Sequence, residues 1–222
     1  MTVLENITKH SPAFNWLPPK LMTQLIADMT RDPLCDRVCH YLQNTSKNDP
    51  RSVYTRLVLA QEICQRSDLD LRPDKSVFFS GATKTQAEKF IAQNPSYEAI
   101  HTRPAGAFLE LLNLFDPQNG IDYQDAYQAW FTIAARYSEA VQGNVTAILE
   151  APAPEKTFRK IELGLLLTND RVETINSIPK EKFSSLISAD LTSFVAETNK
   201  LEKIVNSYKP PMSPPSVHHR FR

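Results

Sequence analysis

One acidic residue, Glu162, lies in the otherwise apolar run from Ile161 to Leu167. A carboxylate in such surroundings is either solvated at an edge of the protein or held in place for chemistry. The spacing allows both: in a strand Glu162 shares a face with Phe158 and Lys160, whereas in a helix it borders an apolar stripe and is solvated. Its role therefore depends on the elements around it.

A serine–glycine turn is the second feature with chemical potential. The run VFFSGA (77–82) predicts a strand that ends at Ser80 and Gly81, just before a helix. Turns at the carboxyl end of a parallel strand direct backbone N–H groups at ligands, often phosphates. On local grounds alone, an ordinary β–α turn is the simpler explanation.

The three cysteines are too few for a disulfide framework. Cys35, Cys39 and His40 share the run CDRVCH, and thiols at positions i and i+4 lie on one helix face. A second pair of ligands with similar spacing is missing. We therefore interpret these cysteines as buried helical residues and expect no metal site.

Composition excludes several classes of protein. The 222 residues contain 25 Lys and Arg and 25 Asp and Glu, so no net charge attracts nucleic acid or anionic lipid. No basic stripe with interleaved aromatic residues occurs, and we expect no nucleic-acid binding. The start, MTVLENITKHSPAF, lacks the apolar core of a classical signal peptide, and no apolar run predicts a membrane span.

The first third of the chain predicts helices. Apolar residues recur at helical spacing between residues 15 and 66. Pro18 and Pro19 suit a helix start, and the pair Asp32–Pro33 separates one helix from the next.

Short β-type runs alternate with helical stretches after residue 74. The β-type runs are SVFFSG (76–81), YEAIHT (97–102) and NVTAILEA (144–151), and the helical stretches are TKTQAEKFIAQ (83–93) and DYQDAYQAWFTIAARYSEAV (122–141). This alternation is typical of βαβ units in a small parallel sheet. We expect an α/β fold with a mostly helical N-terminal lobe (1–73), a small parallel-sheet lobe with flanking helices (74–178), C-terminal helices (179–208) and a flexible proline-rich tail (209–222).

The order of these pieces resembles the ADP-ribosyl cyclase / NAD glycohydrolase family. The family pattern has a strand ending in aromatic–Ser, a Thr-Leu-Glu strand with a downstream glycine, a Phe-Trp helix, a Gly-x-Val strand and an F-x-x-[VI]-E segment. The counterparts here are SVFFSG, AIHTRPAG, AWFTIAARYSEAVQGNVTAIL and KTFRKIELGLLLTNDRV, which together span roughly residues 74–175.

The resemblance assigns roles to two main residues. Glu162 looks like the catalytic carboxylate, placed at a strand end, and Trp130 like the active-site tryptophan, although its helical spacing also suits a core residue. The other residues that the resemblance brings to the site are Phe79 as an aromatic wall, Ser80 and Gly81 with Arg103 on the phosphate side, and Thr102, Thr157 and Phe158 as further substrate contacts.

Two departures from the family pattern bear on the product. His101 occupies the place of a glutamate that contacts nicotinamide and helps set the balance between cyclisation and hydrolysis. Thr157 stands where a small polar residue favours hydrolysis. The disulfide set of extracellular members is missing, which implies a bacterial-type or intracellular-acting relative.

The resemblance implies an NAD+ nucleosidase with NAD as substrate and no cofactor. Three alternatives stay open at this point: a module that binds NAD or ADP-ribose without turnover, an ADP-ribosyltransferase, and a helical scaffold in which the motifs are coincidental. Because uncontrolled NAD hydrolysis harms the cell that makes the enzyme, we expect a toxin or effector that is cytoplasmic or delivered into a target cell, with a neutralising immunity or regulatory partner.

Overall fold

The computed structural model describes residues 2–44, 50–149 and 161–182. The helices in these ranges are α1 Val3–His10, α2 Pro19–Arg31, α3 Cys35–Asn44, α4 Pro50–Arg66, α5 Lys84–Gln93, α6 Pro104–Leu112, α7 Tyr123–Ala140 and α8 Leu163–Thr168. The strands are β1 Ser76–Phe79, β2 Glu98–Ala99, β3 Gly143–Ile148, β4 Val172–Ile175 and β5 Ile178–Pro179.

Local signals set the boundaries of the N-terminal helices. Helix α2 begins at Pro19, where the missing N–H of proline costs no hydrogen bond. It ends just before Asp32, whose carboxylate accepts hydrogen bonds from Leu34 N at 2.9 Å and Ser67 Oγ at 2.6 Å. Asp32 thus starts the next segment and ties it to the end of α4, which confirms the predicted division.

The sheet has the order β2-β1-β3-β4-β5. Strand β1 is parallel to β2 and β3, and β3 is parallel to β4, which confirms the α/β fold class. The carboxyl ends of parallel strands meet at one edge, where ligands of α/β proteins commonly bind. At that edge Phe79 of β1 is paired with Ile148 of β3.

An antiparallel hairpin, which the sequence patterns did not indicate, closes one side of the sheet. Strand β5 pairs with β4 through a two-residue turn, Asn176–Ser177, with φ angles of 51° and 65°. Two positive φ angles are those of a type I′ turn, whose twist matches the flanking strands.

The predicted strand YEAIHT is shorter than expected. Only Glu98 and Ala99 are extended, and Ile100–Thr102 form a 3-10 turn. The Thr102 hydroxyl closes this turn, because it donates to Ala99 O at 2.8 Å and accepts from Ala99 N at 3.0 Å. His101 therefore lies in a tight turn after the strand and not at its end.

One apolar core joins the segments predicted as two lobes. The main buried cluster combines side chains from the N-terminal helices, such as Leu57 and Ile63, with side chains of α6, α7 and α8, such as Phe108, Ile133 and Leu166. The domain boundary at residue 73 therefore stays a prediction, although the segments on its two sides pack into the same core.

Candidate functional site

The turn after β1 is stabilised internally by Thr83. The Ser80 backbone N–H donates to Thr83 Oγ1 at 3.0 Å, and the two side-chain hydroxyls lie 3.1 Å apart. Thr83 Oγ1 also donates to Ile148 O at 2.5 Å, which joins this turn to the end of β3. The Ser80 side chain is consequently buried in the turn, at the edge of the sheet where the sequence predicted it.

Gly81 leaves open space at the surface of the same turn. A Cβ atom added there meets no atom within 4 Å, and the residue is exposed. The protein itself therefore does not require glycine at this position. The open space leaves room for a ligand to approach the backbone closely.

His101 is enclosed by two aromatic rings beside this turn. Its ring centroid lies 5.0 Å from that of Phe79, edge to face, and 5.3 Å from that of Trp16. The residue is 1 % exposed, and neither ring nitrogen has a hydrogen-bond partner among the described residues. Burial, helped by the nearby charge of Lys84, lowers the pKa of His101 to about 3, so the imidazole is neutral at physiological pH.

Gly106 fixes the position of the His101 turn. A Cβ on Gly106, in α6, would lie 2.1 Å from the carbonyl oxygen of Ile100 and 2.9 Å from Cα of His101. Only glycine allows this close approach of helix and turn. This close approach explains why a glycine follows the His-Thr motif. The sequence alone indicated only its position.

Arg103 is directed toward two carboxylates. Its Nη1 lies 3.5 Å from Glu98 Oε2 and 3.6 Å from Asp28 Oδ2, and its side chain is 14 % exposed. Its charge is thus matched within the protein in this structure. The pyrophosphate contact assigned to Arg103 stays a prediction.

Glu162 is helical, and the expectation of a strand end is wrong. Its φ and ψ angles are −61° and −45°, and α8 starts at the next residue. The physical reason is the spacing of the flanking apolar residues, which suits a short helix buried on two sides. Ile161 and Leu165 pack in a cluster with Phe131 of α7, while Leu166 joins the main core.

The helical alternative considered from the sequence, a solvated carboxylate, is also wrong. Glu162 is 7 % exposed, and no hydrogen-bond or ion-pair partner for it is found within the described ranges. Burial raises the pKa of Glu162 to about 8. A cationic neighbour would strongly stabilise the ionised form of a carboxyl group in this environment and lower its pKa.

Helices α7 and α8 pack together, and Ile161 and Leu165 share a cluster with Phe131 and Ala135. This spacing indicates that the two helices run in the same direction. Asn169, just after α8, contacts Ser138 O in the last turn of α7 at 3.1 Å. Glu162 precedes Asn169 by seven residues, and Phe131 precedes Ser138 by seven residues. Because both helices rise by about 1.5 Å per residue, Glu162 lies beside the turn that contains Trp130 and Phe131.

Trp130 is both a core residue and accessible. Its side chain is partly buried and packs against the main apolar cluster. The core interpretation of Trp130 and the active-site interpretation are therefore compatible.

The predicted residues thus form two groups. Phe79, Ser80, Gly81 and His101 lie at the carboxyl edge of the sheet. Glu162 instead follows Ile161, which packs in a cluster with Phe131, the neighbour of Trp130 in α7. Tyr137 of α7 interacts with residues on both sides: it hydrogen-bonds to β2 and is influenced by the charge of Glu162. Its hydroxyl donates to Glu98 O in β2 at 2.9 Å, and burial raises its pKa, with further contributions from the charges of Glu98 and Glu162.

Two predicted residues, Thr157 and Phe158, lie outside the described residues. One residue that the sequence analysis missed is Trp16, which packs on His101 and donates from Nε1 to Ala13 O at 3.0 Å. Trp16 directly precedes Leu-Pro-Pro, at the start of the first predicted helix, and nothing in that local pattern indicates His101 as its partner.

Comparison with known proteins gives structural neighbours only. No family model and no curated protein sequence matches the chain. Porcine CD38 with a covalent ribo-F-ribose-5'-phosphate intermediate is similar at a TM-score of 0.47 and 17% identity, over 93% of both chains. Aplysia cyclase with substrate NGD and product cGDPR is similar at a TM-score of 0.43 and 17% identity, over 93% of this chain and 94% of that one.

A further neighbour is an ADP ribosyl cyclase complexed with N1-cIDPR, at a TM-score of 0.42 and 15% identity over 91% of this chain and 86% of that one. ADP-ribosyl cyclase is the family that the sequence motifs resemble. At these TM-scores the likeness assigns no function.

The three cysteines are free thiols. Cys35 begins α3, and burial, together with the neighbouring Cys39, raises the pKa of its thiol to about 12. Across the described ranges, no group of three or more potential ligands is placed to hold a metal ion. Within those same ranges no helix is long and apolar enough to cross a membrane.

Proposed function

We propose that this protein is an NAD glycohydrolase that cleaves the nicotinamide–ribose bond of NAD and releases nicotinamide and ADP-ribose. The observation that carries the proposal is the buried carboxyl of Glu162, which has no ion-pair or hydrogen-bond partner in the described part of the chain. Its neighbour Ile161 packs with Phe131, next to Trp130 in α7. Buried titratable groups with strongly shifted pKa values cluster at functional sites, which supports the proposal.

The reaction explains why an isolated carboxylate is useful. The nicotinamide of NAD is already a cationic leaving group, so it needs no proton when the bond breaks and the electron pair leaves with the ring. Positive charge then develops on the ribose, as in glycoside hydrolysis. The Glu162 carboxylate would stabilise this oxocarbenium charge in a low-dielectric site, an effect commonly worth about 3 to 4 kcal/mol.

Substrate binding supplies the ionised form of Glu162. The raised pKa makes the free carboxyl largely neutral at pH 7. A bound pyridinium cation favours loss of that proton, because an adjacent opposite charge lowers the pKa of a carboxyl group. Binding of NAD and ionisation of Glu162 are therefore coupled.

The remaining residues would bind and enclose the dinucleotide. Trp130 and Phe79 provide aromatic walls that hold nicotinamide and limit water, and the open backbone at Gly81 accepts the pyrophosphate. Water attacks the ribosyl carbon, forms the new C–O bond and loses one proton to give ADP-ribose. We assign Thr157 a role in favouring hydrolysis over capture by adenine, which would give cyclic ADP-ribose.

Incubation of the purified full chain with NAD, followed by chromatographic separation of the products, tests this proposal. We expect nicotinamide and ADP-ribose in equal amounts, with cyclic ADP-ribose as a minor product. Transfer of ADP-ribose to a protein acceptor would instead identify a transferase, through a mass shift on that acceptor.

A second candidate is a module that binds NAD or ADP-ribose without turnover. The neutral state of His101 at a position where the resembled family has a glutamate favours it. Tight binding of NAD in calorimetry with no nicotinamide released over a day would establish this alternative.

The biological role is a toxin or effector in this proposal. Uncontrolled NAD hydrolysis depletes the cell that makes the enzyme, so a neutralising partner or delivery into another cell is needed. We expect that expression of the chain in a host cell lowers cellular NAD, whereas expression of Glu162→Gln does not. Equal NAD levels with both chains would argue against a toxic activity.

A further inference from the structure

Asn169, the residue that follows α8, has an unusual number of polar contacts. Its Nδ2 lies within hydrogen-bond distance of three carbonyl oxygens at the end of α7, those of Ser138 at 3.1 Å, Glu139 at 3.2 Å and Val141 at 3.0 Å. The last carbonyl groups of a helix have no partner within the helix, so a side-chain donor at this point stabilises its end.

The other polar groups of Asn169 bind the opposite side of the junction. Its Oδ1 accepts from Arg171 N at 3.0 Å, and its backbone N–H donates to Leu165 O at 2.9 Å in α8. Its carbonyl oxygen accepts from Val172 N at 3.0 Å and from Lys180 Nζ at 2.8 Å. One side chain and its backbone therefore join α7, α8, β4 and the segment after β5.

We propose that Asn169 is a positioning residue, which holds the helical turn bearing Glu162 at a fixed height beside the turn of α7 that bears Trp130. This inference rests on the proposed function and extends it to a residue that touches no substrate.

Geometry explains why the position of Asn169 matters. Helix α8 has six residues, fewer than two turns, and a helix this short is not stable by itself. Its position depends on the leucines packed against the core and on the junction at Asn169. Apolar contacts are non-directional and allow sliding along α7, whereas the hydrogen bonds of Asn169 specify one register.

A change of register would alter the surroundings of Glu162. Because Glu162 is 7 % exposed, a shift along α7 would change the burial of its carboxyl and misalign the carboxylate with the bound ribose. Misplacement by about 1 Å can reduce turnover by roughly a hundredfold. Burial raises the pKa of Tyr137 on α7, and the charges of Glu98 and Glu162 add to this shift.

The test compares Asn169→Ala with Asn94→Ala. Asn94 is a matched control, because its Nδ2 also binds a helix-end carbonyl, that of Phe90 at 2.8 Å, at the end of α5. The titration of the Glu162 carboxyl carbon is followed by ¹³C NMR in the full chain labelled at glutamate Cδ, with the signal assigned by Glu162→Gln. The kinetic constants for NAD are measured on the same samples, under conditions where circular dichroism shows each variant folded.

We expect the titration midpoint of the Glu162 carboxyl group to move from about 8 toward the ordinary value of 4.5 in Asn169→Ala. In Asn94→Ala this titration midpoint should not change. The kcat for NAD should fall roughly ten- to a hundredfold in Asn169→Ala with KM within about twofold. Should Asn169→Ala not fold, Asn169→Ser, which keeps one donor, is titrated in its place.

An unmoved midpoint in a folded Asn169 variant overturns the inference, whatever its stability. The titration separates this failure from failure of the proposed function. If the wild-type chain does not turn over NAD, the proposed function is wrong, while the response of the Glu162 midpoint still decides whether Asn169 positions that residue.

Discussion

The rings of Phe79 and His101 meet edge to face, with centroids 5.0 Å apart and planes at 86°. This contact joins the end of β1 to the turn after β2. It buries an imidazole whose two nitrogens have no partner among the described residues. A buried polar group without a partner destabilises the folded state, so His101 is retained at a cost.

Replacement of His101 by phenylalanine should remove a source of acid sensitivity. The folded-state pKa of His101, about 3, lies below the ordinary 6.5. The contribution of the neutral imidazole to the free energy of unfolding is therefore complete above pH 6.5 and is lost as the pH falls toward 3. Between pH 7.5 and 4.5 this loss amounts to roughly 2–3 kcal/mol. Urea unfolding at both pH values should show that His101→Phe loses less stability than wild type by that amount.

The control for His101→Phe is the same substitution at His40, which is exposed. The His40→Phe chain should keep the acid sensitivity of the wild type. Equal loss of stability in wild type and in His101→Phe would contradict the assignment of a buried neutral imidazole.

Alanine at Gly106 should destabilise the protein strongly. The added Cβ would approach the Ile100 carbonyl oxygen to 2.1 Å, and both atoms belong to fixed backbone. Helix α6 must therefore move away from the His101 turn, at a cost of roughly 2 kcal/mol or more. Thermal unfolding followed by circular dichroism measures this loss, and an unchanged melting temperature would show that the close approach is not required.

Replacement of Gly81 by alanine should leave stability almost unchanged and weaken NAD binding. The added Cβ meets no atom within 4 Å, so the melting temperature should change little. If the pyrophosphate of NAD approaches this backbone, the methyl group hinders it and raises the KM, by about tenfold. A Gly81→Ala chain with wild-type KM would place the phosphates elsewhere.

Glu162 should make the protein less stable as the pH rises. Its folded-state pKa of about 8 lies above the ordinary 4.5, so its contribution to stability is present below pH 4.5 and is lost as the pH rises toward 8. From pH 5 to pH 8.5 wild type should lose roughly 3–4 kcal/mol more unfolding free energy than Glu162→Gln. Urea unfolding of both chains at the two pH values measures the difference.

The same group should shape the pH dependence of activity. The ionised carboxylate is the reactive form, and kcat/KM reports ionisation in the free enzyme. The kcat/KM for NAD should therefore rise with pH to a plateau, with a midpoint near 8. A midpoint near 4.5 would mean that Glu162 is solvated in the free protein.

Sequence reasoning predicted the parts of the fold that depend on local signals. Proline at Pro19 and the Asp32–Pro33 pair marked helix boundaries, and the aliphatic and aromatic runs marked β1 and β3. Helix α6 was not assigned, because nearly all its residues are buried and its sequence lacks a polar face. The β4–β5 hairpin was not assigned either, since its Asn176–Ser177 turn lacks the glycine that usually signals a type I′ turn.

The environment of Glu162 could not be predicted, because it is set by residues far away in the sequence. Whether a carboxylate next to Leu163 is solvated depends on α7 packing against Ile161 and on the core packing against Leu166. Periodicity reports which residues share a face, and it does not report what covers that face. Trp16 was overlooked for the same reason, since its partner His101 lies 85 residues further along the chain.

The most direct test of the central claim is NAD turnover by wild type, Glu162→Gln and Glu173→Gln, measured side by side by chromatography of the products. Glu173 is an exposed glutamate on β4 and serves as the matched control. We expect wild type and Glu173→Gln to release nicotinamide and ADP-ribose at similar rates, and Glu162→Gln to be folded and slower by a factor of about a hundred or more. A folded Glu162→Gln chain with the wild-type rate would contradict the account.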